Sequence, residues 1–318
     1  MTDGSKNETA GKPGLLLMSS NWESFLDGAL DDRFEIVRLW QAEDSQELLA
    51  ERGHEIVATL TTRMDASLLD KLANLRLIAV PGAGYENVPV EAARKRGITI
   101  ANAGDTHSAD VADHAVALTL SAIHHLPDMQ AHVSSGAWRA GRSIGRRHAM
   151  SAQRFGIVGL GNIGTAIANR LDAFGGEIAW WGPRDKPASW PRRESLADLA
   201  RWSTVLIVAT RGDTDGLIDA DVIDAVGSQG TIVNIARGSV IDEDALIAAL
   251  TAGRLGGAAL DVFAEEPTPS DRWRDVPNVI LTPHVAGVSD ESMTHLREAA
   301  IRNLSTVLDG GAVVNEIG

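Results

Sequence analysis

The chain contains no cysteine. That one absence excludes a disulfide scaffold, a thiolate-held iron–sulfur centre, a Cys-ligated zinc and a cysteine nucleophile. Basic residues are also few: 29 Lys and Arg stand against 43 Asp and Glu, for a net charge of −14. A broad phosphate-backbone footprint has little to be built from, so nucleic acid is not an expected partner. No uninterrupted apolar run approaches the roughly 18 residues of a membrane span, and the opening MTDGSKNETAGKPG lacks the apolar stretch of a signal peptide. Residues 1–13 read as a disordered leader on a soluble, cytoplasmic protein that has no membrane partner. Histidines are present at 114, 124, 125, 132 and 148, but no second ligand falls at metal spacing and no metal is expected.

What is present points to two domains, since 318 residues with 44% hydrophobic content suffice for two separate cores. From Gly14 onward short apolar runs alternate with longer helix-period segments, the pattern of parallel sheets covered by helices. The fold class is therefore α/β, with two Rossmann-like or flavodoxin-like domains. Strands are predicted at Leu15 to Met18, Glu35 to Leu39, Ile56 to Leu60, Leu77 to Pro81 and Ile98 to Ala101, which suits a flavodoxin-like layer. A long apolar helix, Val111 to Ile123, follows; Ser108 is its expected N-cap, and it is expected to cross between the domains.

The second set of strands is predicted at Phe155 to Val158, Ile178 to Trp181, Val205 to Ala209, Thr231 to Ile235, Gly257 to Asp261 and Val279 to Leu281. After Ser289 a helical pattern puts Leu296, Ala300, Leu304 and Val307 on one face, which returns the tail to the first domain. Residues 14–106 and 289–318 are thus read as a substrate domain and 107–288 as a dinucleotide-binding domain, with the active site in the cleft between them. The Arg-rich stretch from Arg139 to Arg147 reads as an exposed loop.

Gly159, Gly161 and Gly164, with Leu160, Asn162 and Ile163 between them, form Gly-x-Gly-x-x-Gly directly after a strand and at the start of a helix. The first glycine permits the tight turn, the second lets the backbone approach a pyrophosphate, and the third lets helix and strand pack closely. The helix N-terminus then offers free N–H groups and a partial positive charge to the diphosphate. An NAD site should carry an acid at the end of the second strand to hold the ribose hydroxyls. Here Gly182 stands near that position, followed by Arg184 and Lys186. Loss of the carboxylate removes repulsion of a 2′-phosphate, and Arg184 can pair with it. NADP(H) is the favoured cofactor, with Arg211 closing the phosphate pocket; NAD(H) is the alternative, with Asp185 as the acid. Of the adjacent Trp180 and Trp181, one is expected in the core and the other toward the adenine edge. Trp138 in GAWR is read as packing at a domain or subunit junction.

Three later segments, IVNIARG, ALDVFAEEP and VILTPHVAG, place Arg237, Glu266 and His284 at the carboxyl ends of strands, the edge at which open α/β sheets bind ligands. The set suits a 2-oxo acid: Arg237 to hold the substrate carboxylate or carbonyl, His284 to protonate the carbonyl oxygen, and Glu266 to orient the imidazole.

From about Leu77 onward the chain resembles the D-isomer-specific 2-hydroxyacid dehydrogenases, in GAGYENV, GITIANAG, ADVADHAVAL, GAWR, FGIVGLGNIG, IVNIARGSVIDEDALIAAL, GGAALDVFAEEP and NVILTPHVAG. The resemblance implies Arg237, Glu266 and His284 as the catalytic triad. It implies substrate carboxylate binding by the backbone of Ala83 and Gly84, with Tyr85 beside them, and Asp261 on the nicotinamide carboxamide. Thr210, Ile235, Ala236 and His284 complete the implied cofactor contacts. It implies a homodimer, which the apolar Val111 to Ile123 helix also suggests. The missing ribose acid, GAWR and PHVAG are most similar to the NADPH-using glyoxylate/hydroxypyruvate and hydroxyphenylpyruvate reductases. The expected reaction is thus reduction of a small 2-oxo acid to the D-2-hydroxy acid, with an aromatic 2-oxo acid or a non-catalytic dinucleotide sensor as alternatives. Two departures stand out: Asn102-Ala103-Gly104 replaces Asn-x-Pro, which is expected to loosen the crossover, and Thr210-Arg211 replaces a proline beside the adenosine pocket.

Overall fold

A computed structural model describes residues 14–104, 106–143, 145–210 and 214–317, so the leader and Arg211 lie outside the described residues. The chain divides into two compact units. The described residues up to Thr106 and those from Asp290 on form one, and His107–Ser289 forms the other.

The first unit runs β1 (Gly14–Met18), α1 (Glu23–Leu26), β2 (Phe34–Arg38), α2 (Ser45–Arg52), β3 (Ile56–Leu60), α3 (Ala66–Asp70), β4 (Leu77–Ala79), α4 (Val90–Lys95) and β5 (Thr99–Ala101). The second contributes α5 (Ser108–Ile123), α6 (Leu126–Ser134), β6 (Arg154–Val158), α7 (Asn162–Asp172), β7 (Glu177–Trp181), α8 (Leu196–Trp202), β8 (Val205–Val208), α9 (Ala220–Val226), β9 (Thr231–Asn234), α10 (Glu243–Thr251), β10 (Gly257–Leu260) and β11 (Val279–Leu281). The chain then returns to the first unit as α11 (Asp290–Asp309). Several helices start where a short polar side chain accepts a free N–H of the first turn, as Asp65, Ser195, Asp219 and Asp242 do for α3, α8, α9 and α10. None of the described helices is long and apolar enough to cross a membrane.

The first sheet has the order β2-β1-β3-β4-β5, all parallel. Alternation on its strands splits the apolar side chains between two cores. Leu15, Leu17 and Ile78 face one, and Leu16, Met18, Leu77 and Ala79 face the other, which α11 covers with Ala300, Leu304 and Val307. The Asn102-Ala103-Gly104 segment after β5 is well tied. Asn102 donates from its side-chain nitrogen to the Ala83 carbonyl at 2.7 Å and accepts the Gly104 N–H at 3.0 Å, and its own N–H reaches the Asn315 carbonyl. Where a proline would offer no N–H, the Gly104 N–H makes a bond to the Asn102 side chain, which ties this part of the segment.

The second sheet has the order β11-β10-β9-β8-β6-β7, also all parallel. Beyond β7 the backbone at Arg192 bridges Trp180, giving the edge a one-residue remnant of a further parallel strand. One face is covered by α5 and α7, through residues such as Val111, Ala115, Ile167 and Leu171; the other is covered by α8, α9 and α10, through Leu199, Ile223 and Leu246.

Three expectations are corrected here. Ser108 is the first residue of α5 rather than its cap, because the helical ladder already opens with the Val111 N–H on the His107 carbonyl. The helix lies wholly in the second unit rather than crossing between the two, and most of its apolar side chains are buried there. Trp180 is core as expected, but Trp181 packs half-buried against the opposite core rather than toward a ligand edge.

The three turn glycines do different work. A Cβ at Gly164 would lie 2.0 Å from the Gly159 carbonyl oxygen, whereas one at Gly161 would meet nothing within 4 Å. Gly164→Ala is therefore expected to destabilise the protein by about 2–3 kcal/mol through forced backbone displacement, and Gly161→Ala to change stability by no more than about 0.5 kcal/mol. Thermal or denaturant unfolding of the two variants checks the contrast.

Candidate active site

At the carboxyl edge of the second sheet, β6 gives way to Gly159 with φ +91°, and α7 begins at Asn162. A side chain on Gly159 would strike the backbone of Ala209 and Thr210, so the turn sits against the end of β8. No side chain caps α7, whose N-cap is Gly161, and the space over Gly161 is open. A helix start that follows a glycine with open space above it fits the diphosphate of a dinucleotide.

Beyond β7, Gly182 is buried while Arg184, Asp185 and Lys186 are exposed. A further arginine is present that the sequence reading did not single out. Arg192 donates from Nη2 to the Gly182 carbonyl at 2.7 Å and lies 5.7 Å over the Trp180 ring. It is ten residues downstream of Gly182, and only the strand-like bridge at Trp180 brings it back to the end of β7. Thr210 is half-buried directly after β8.

After β9 the buried Asn234 side chain shapes the next turn. It accepts the Ala236 N–H at 3.0 Å and donates to the Arg237 carbonyl at 3.0 Å, while Ile235 pairs with the end of β8. Arg237 is half-buried, with Nη1 on the Ala236 carbonyl at 2.7 Å. The next residue must be glycine: a Cβ on Gly238 would fall 1.8 to 2.2 Å from the Phe263–Ala264 peptide. The Arg237 turn is thereby pressed against the segment that carries Glu266.

Glu266, which precedes Pro267 through a cis peptide bond, accepts the Phe263 N–H on Oε1 at 3.0 Å. Its Oε2 lies 2.6 Å from Nδ1 of His284, a charge-assisted distance. His284 has a left-handed backbone, φ +52°. A fully buried carboxylate holds this conformation in place. Asp261 accepts the Val285 N–H at 3.0 Å and the Thr282 hydroxyl at 2.6 Å on Oδ1, and the Ala286 N–H at 2.8 Å on Oδ2. The His284 N–H in turn donates to the Asp261 carbonyl at 2.8 Å. Two successive N–H groups converging on one anion form a nest, which a left-handed residue makes possible. His114 of α5 adds a ring nitrogen 3.0 Å from the Thr282 hydroxyl.

The structure thus joins Glu266 to His284 and lays the Arg237 turn against the Phe263–Ala264 peptide, and it gives Asp261 partners in the His284 turn. Ala83, Gly84 and Tyr85 belong to the first unit, in the loop after β4. There Tyr85 is half-buried and packs on the core. The described residues contain no cluster of three or more groups able to hold a metal.

Comparison with known proteins agrees with this architecture. Residues 116–286 match the family model for the NAD-binding domain of D-isomer-specific 2-hydroxyacid dehydrogenases. Glyoxylate/hydroxypyruvate reductase A of Arabidopsis thaliana is 33% identical over 95% of this chain and 98% of its own. The structure of a 2-hydroxyacid dehydrogenase from Ketogulonicigenium vulgare superposes with a TM-score of 0.90 at 35% identity, covering 96% of this chain and 98% of that one. An NADPH-dependent glyoxylate/hydroxypyruvate reductase from Sinorhizobium meliloti, solved with NADP and malonate, gives a TM-score of 0.87 at 28% identity over 96% of this chain and 97% of that one. With the family model covering more than half the chain and a relative matched along nearly all of it, this chain belongs to the D-isomer-specific 2-hydroxyacid dehydrogenases.

Proposed function

We propose that the protein is a reductase of small 2-oxo acids, of the glyoxylate or hydroxypyruvate kind, using a nicotinamide dinucleotide and yielding the D-2-hydroxy acid. The observation that carries the reading is the 2.6 Å Glu266–His284 contact on a turn locked by Asp261, in the same unit as the open Gly-rich turn.

The bound cofactor supplies the hydride; the chain supplies the proton and the positioning. The Gly159 to Gly164 turn receives the diphosphate. Glu266 occupies Nδ1 of His284, which leaves Nε2 of the protonated ring to deliver its proton to the substrate's 2-oxo oxygen. Arg237 holds the substrate's carboxylate or carbonyl oxygen through its guanidinium, and the backbone N–H groups of Ala83 and Gly84 are its further proposed ligands. Asp261, which the resemblance puts on the nicotinamide carboxamide, is buried with its oxygens on Thr282, Val285 and Ala286, so the role proposed for it is to hold the His284 turn.

NADP(H) is the proposed preference. Gly182 places no carboxylate at the end of β7, and Arg184 and Arg192 stand beside it. The NADP complex of the Sinorhizobium relative supports the same choice. The protein is further proposed to be a homodimer, through α6 rather than α5. No residue of α6 is buried, and Leu126, Val133 and the nearby Trp138, 70% exposed, present apolar side chains to solvent.

Two measurements follow. His284→Ala is expected to lower kcat about 10²- to 10⁴-fold with nucleotide affinity retained, whereas Arg237→Ala should raise the KM for the oxo acid as well; steady-state rates with hydroxypyruvate check both, and a His284→Ala enzyme of normal turnover would overturn the mechanism. Separately, fluorescence titration is expected to show tighter binding of NADPH than NADH. Arg184→Ala and Arg192→Ala should each weaken NADPH by about tenfold while leaving NADH within about twofold. Equal losses for both nucleotides would assign the arginines to the fold alone.

A further inference from the structure

The reaction scheme leaves one buried carboxylate without a task. Glu243 opens α10, and its side chain is only 5% exposed. Ionised groups are costly to bury unless donors compensate them, and two donors do so. The Ala264 N–H reaches Oε1 at 2.5 Å and Arg272 Nε reaches Oε2 at 2.9 Å. Arg272 continues through Nη2 to Asp244 at 2.9 Å. Burial alone disfavours the charged guanidinium, yet its bonds to Asp244 and Glu243 hold it above the ordinary arginine value.

The two donors sit at opposite ends of one irregular segment, Ala264 to Arg272, and Glu266 lies within it. The Ala264 peptide is also the one that Gly238 abuts, directly after Arg237. A single carboxylate therefore clamps the segment that carries the histidine's partner, and it does so at the peptide against which the substrate-holding arginine is seated. Its N-terminal place on α10 adds the favourable end of the helix dipole to the anion.

We propose that Glu243 is a positioning residue for the Glu266–His284 pair, holding the Ala264–Arg272 segment so that the Glu266 carboxylate meets Nδ1 of His284. This rests on the reading that the pair moves the proton. Glu243→Gln preserves size but can offer only one oxygen, so its amide must face either the Ala264 N–H or Arg272 Nε donor to donor. A displacement of about 1 Å at a reacting group costs on the order of 10²-fold in rate.

The test compares parent and Glu243→Gln full-length protein for NADPH affinity, for kcat and KM with hydroxypyruvate, and for the low-field Nδ1–H proton resonance of His284 in the resting protein. The groups that meet that imidazole or its turn are Glu266 on the ring, Asp261 on the turn's N–H groups and His114 of α5 on Thr282. The expected result is NADPH affinity within about twofold, kcat lower by about 10- to 100-fold with little change in KM, and an Nδ1–H resonance moved upfield or lost to exchange. An unmoved resonance with kcat intact overturns the inference, as does a fall in kcat matched by an equal loss of nucleotide affinity. Should Glu243→Gln fail to fold, Arg272→Gln, which keeps the Ala264 tie, decides by the same readouts, with a smaller change in the same direction expected and none overturning the proposal. The resonance is read without turnover, so it decides the positioning even if His284→Ala shows that the proposed reaction is wrong.

Discussion

The site depends first on the carboxylate of Asp261. Withdrawn from solvent at the end of β10, it has to be satisfied by protein, and the donors it finds are the Thr282 hydroxyl and the N–H groups of Val285 and Ala286. Those donors converge only if His284 adopts a left-handed backbone, which for a non-glycine residue needs support from its surroundings. The anion thus fixes where the imidazole leaves the chain. Leaving a buried group without its hydrogen-bond partner costs about 1–3 kcal/mol, and more when the group is charged, enough to hold such a turn against its local preference.

Around this anchor the loops interlock through absent side chains as much as through present ones. Gly238 lets the Arg237 turn lie on the Phe263–Ala264 peptide, and Gly164 lets α7 lie on the Gly159 carbonyl. Asn234 closes its own turn with both ends of its amide. Strands end at one edge, and the segments after β9, β10 and β11 are tied there by the buried polar side chains of Asn234, Glu243 and Asp261. This is how side chains carried on loops acquire a fixed geometry.

Much of this was legible in the sequence because the signals were local. Short apolar runs marked β1, β3 and β6 to within a residue, the Gly-rich run identified the βαβ turn, and the pattern of motifs in order indicated the family. What escaped had partners distant along the chain. Arg192 reaches Gly182 only because a bridge folds the segment back to Trp180. The carboxylate of Glu243 reads as an ordinary first-turn acid until Ala264 and Arg272 are seen to close on it. Trp181 was expected toward a ligand edge because period-two alternation says that two adjacent side chains oppose each other, not that both faces of this sheet are covered by helices.

The return of α11 to the first unit has a consequence for how the chain is made. The apolar face formed by Leu16, Met18, Leu77 and Ala79 receives its cover from Ala300, Leu304 and Val307, nearly the whole length of the protein later. On the ribosome, every strand and helix of His107–Ser289 is synthesised before that cover exists, so the second unit can complete its core first. At elongation rates of about 5–20 residues per second, the nascent first unit spends on the order of ten seconds or more with that face covered only by residues such as Leu26, Leu30 and Phe34, before α11 completes it.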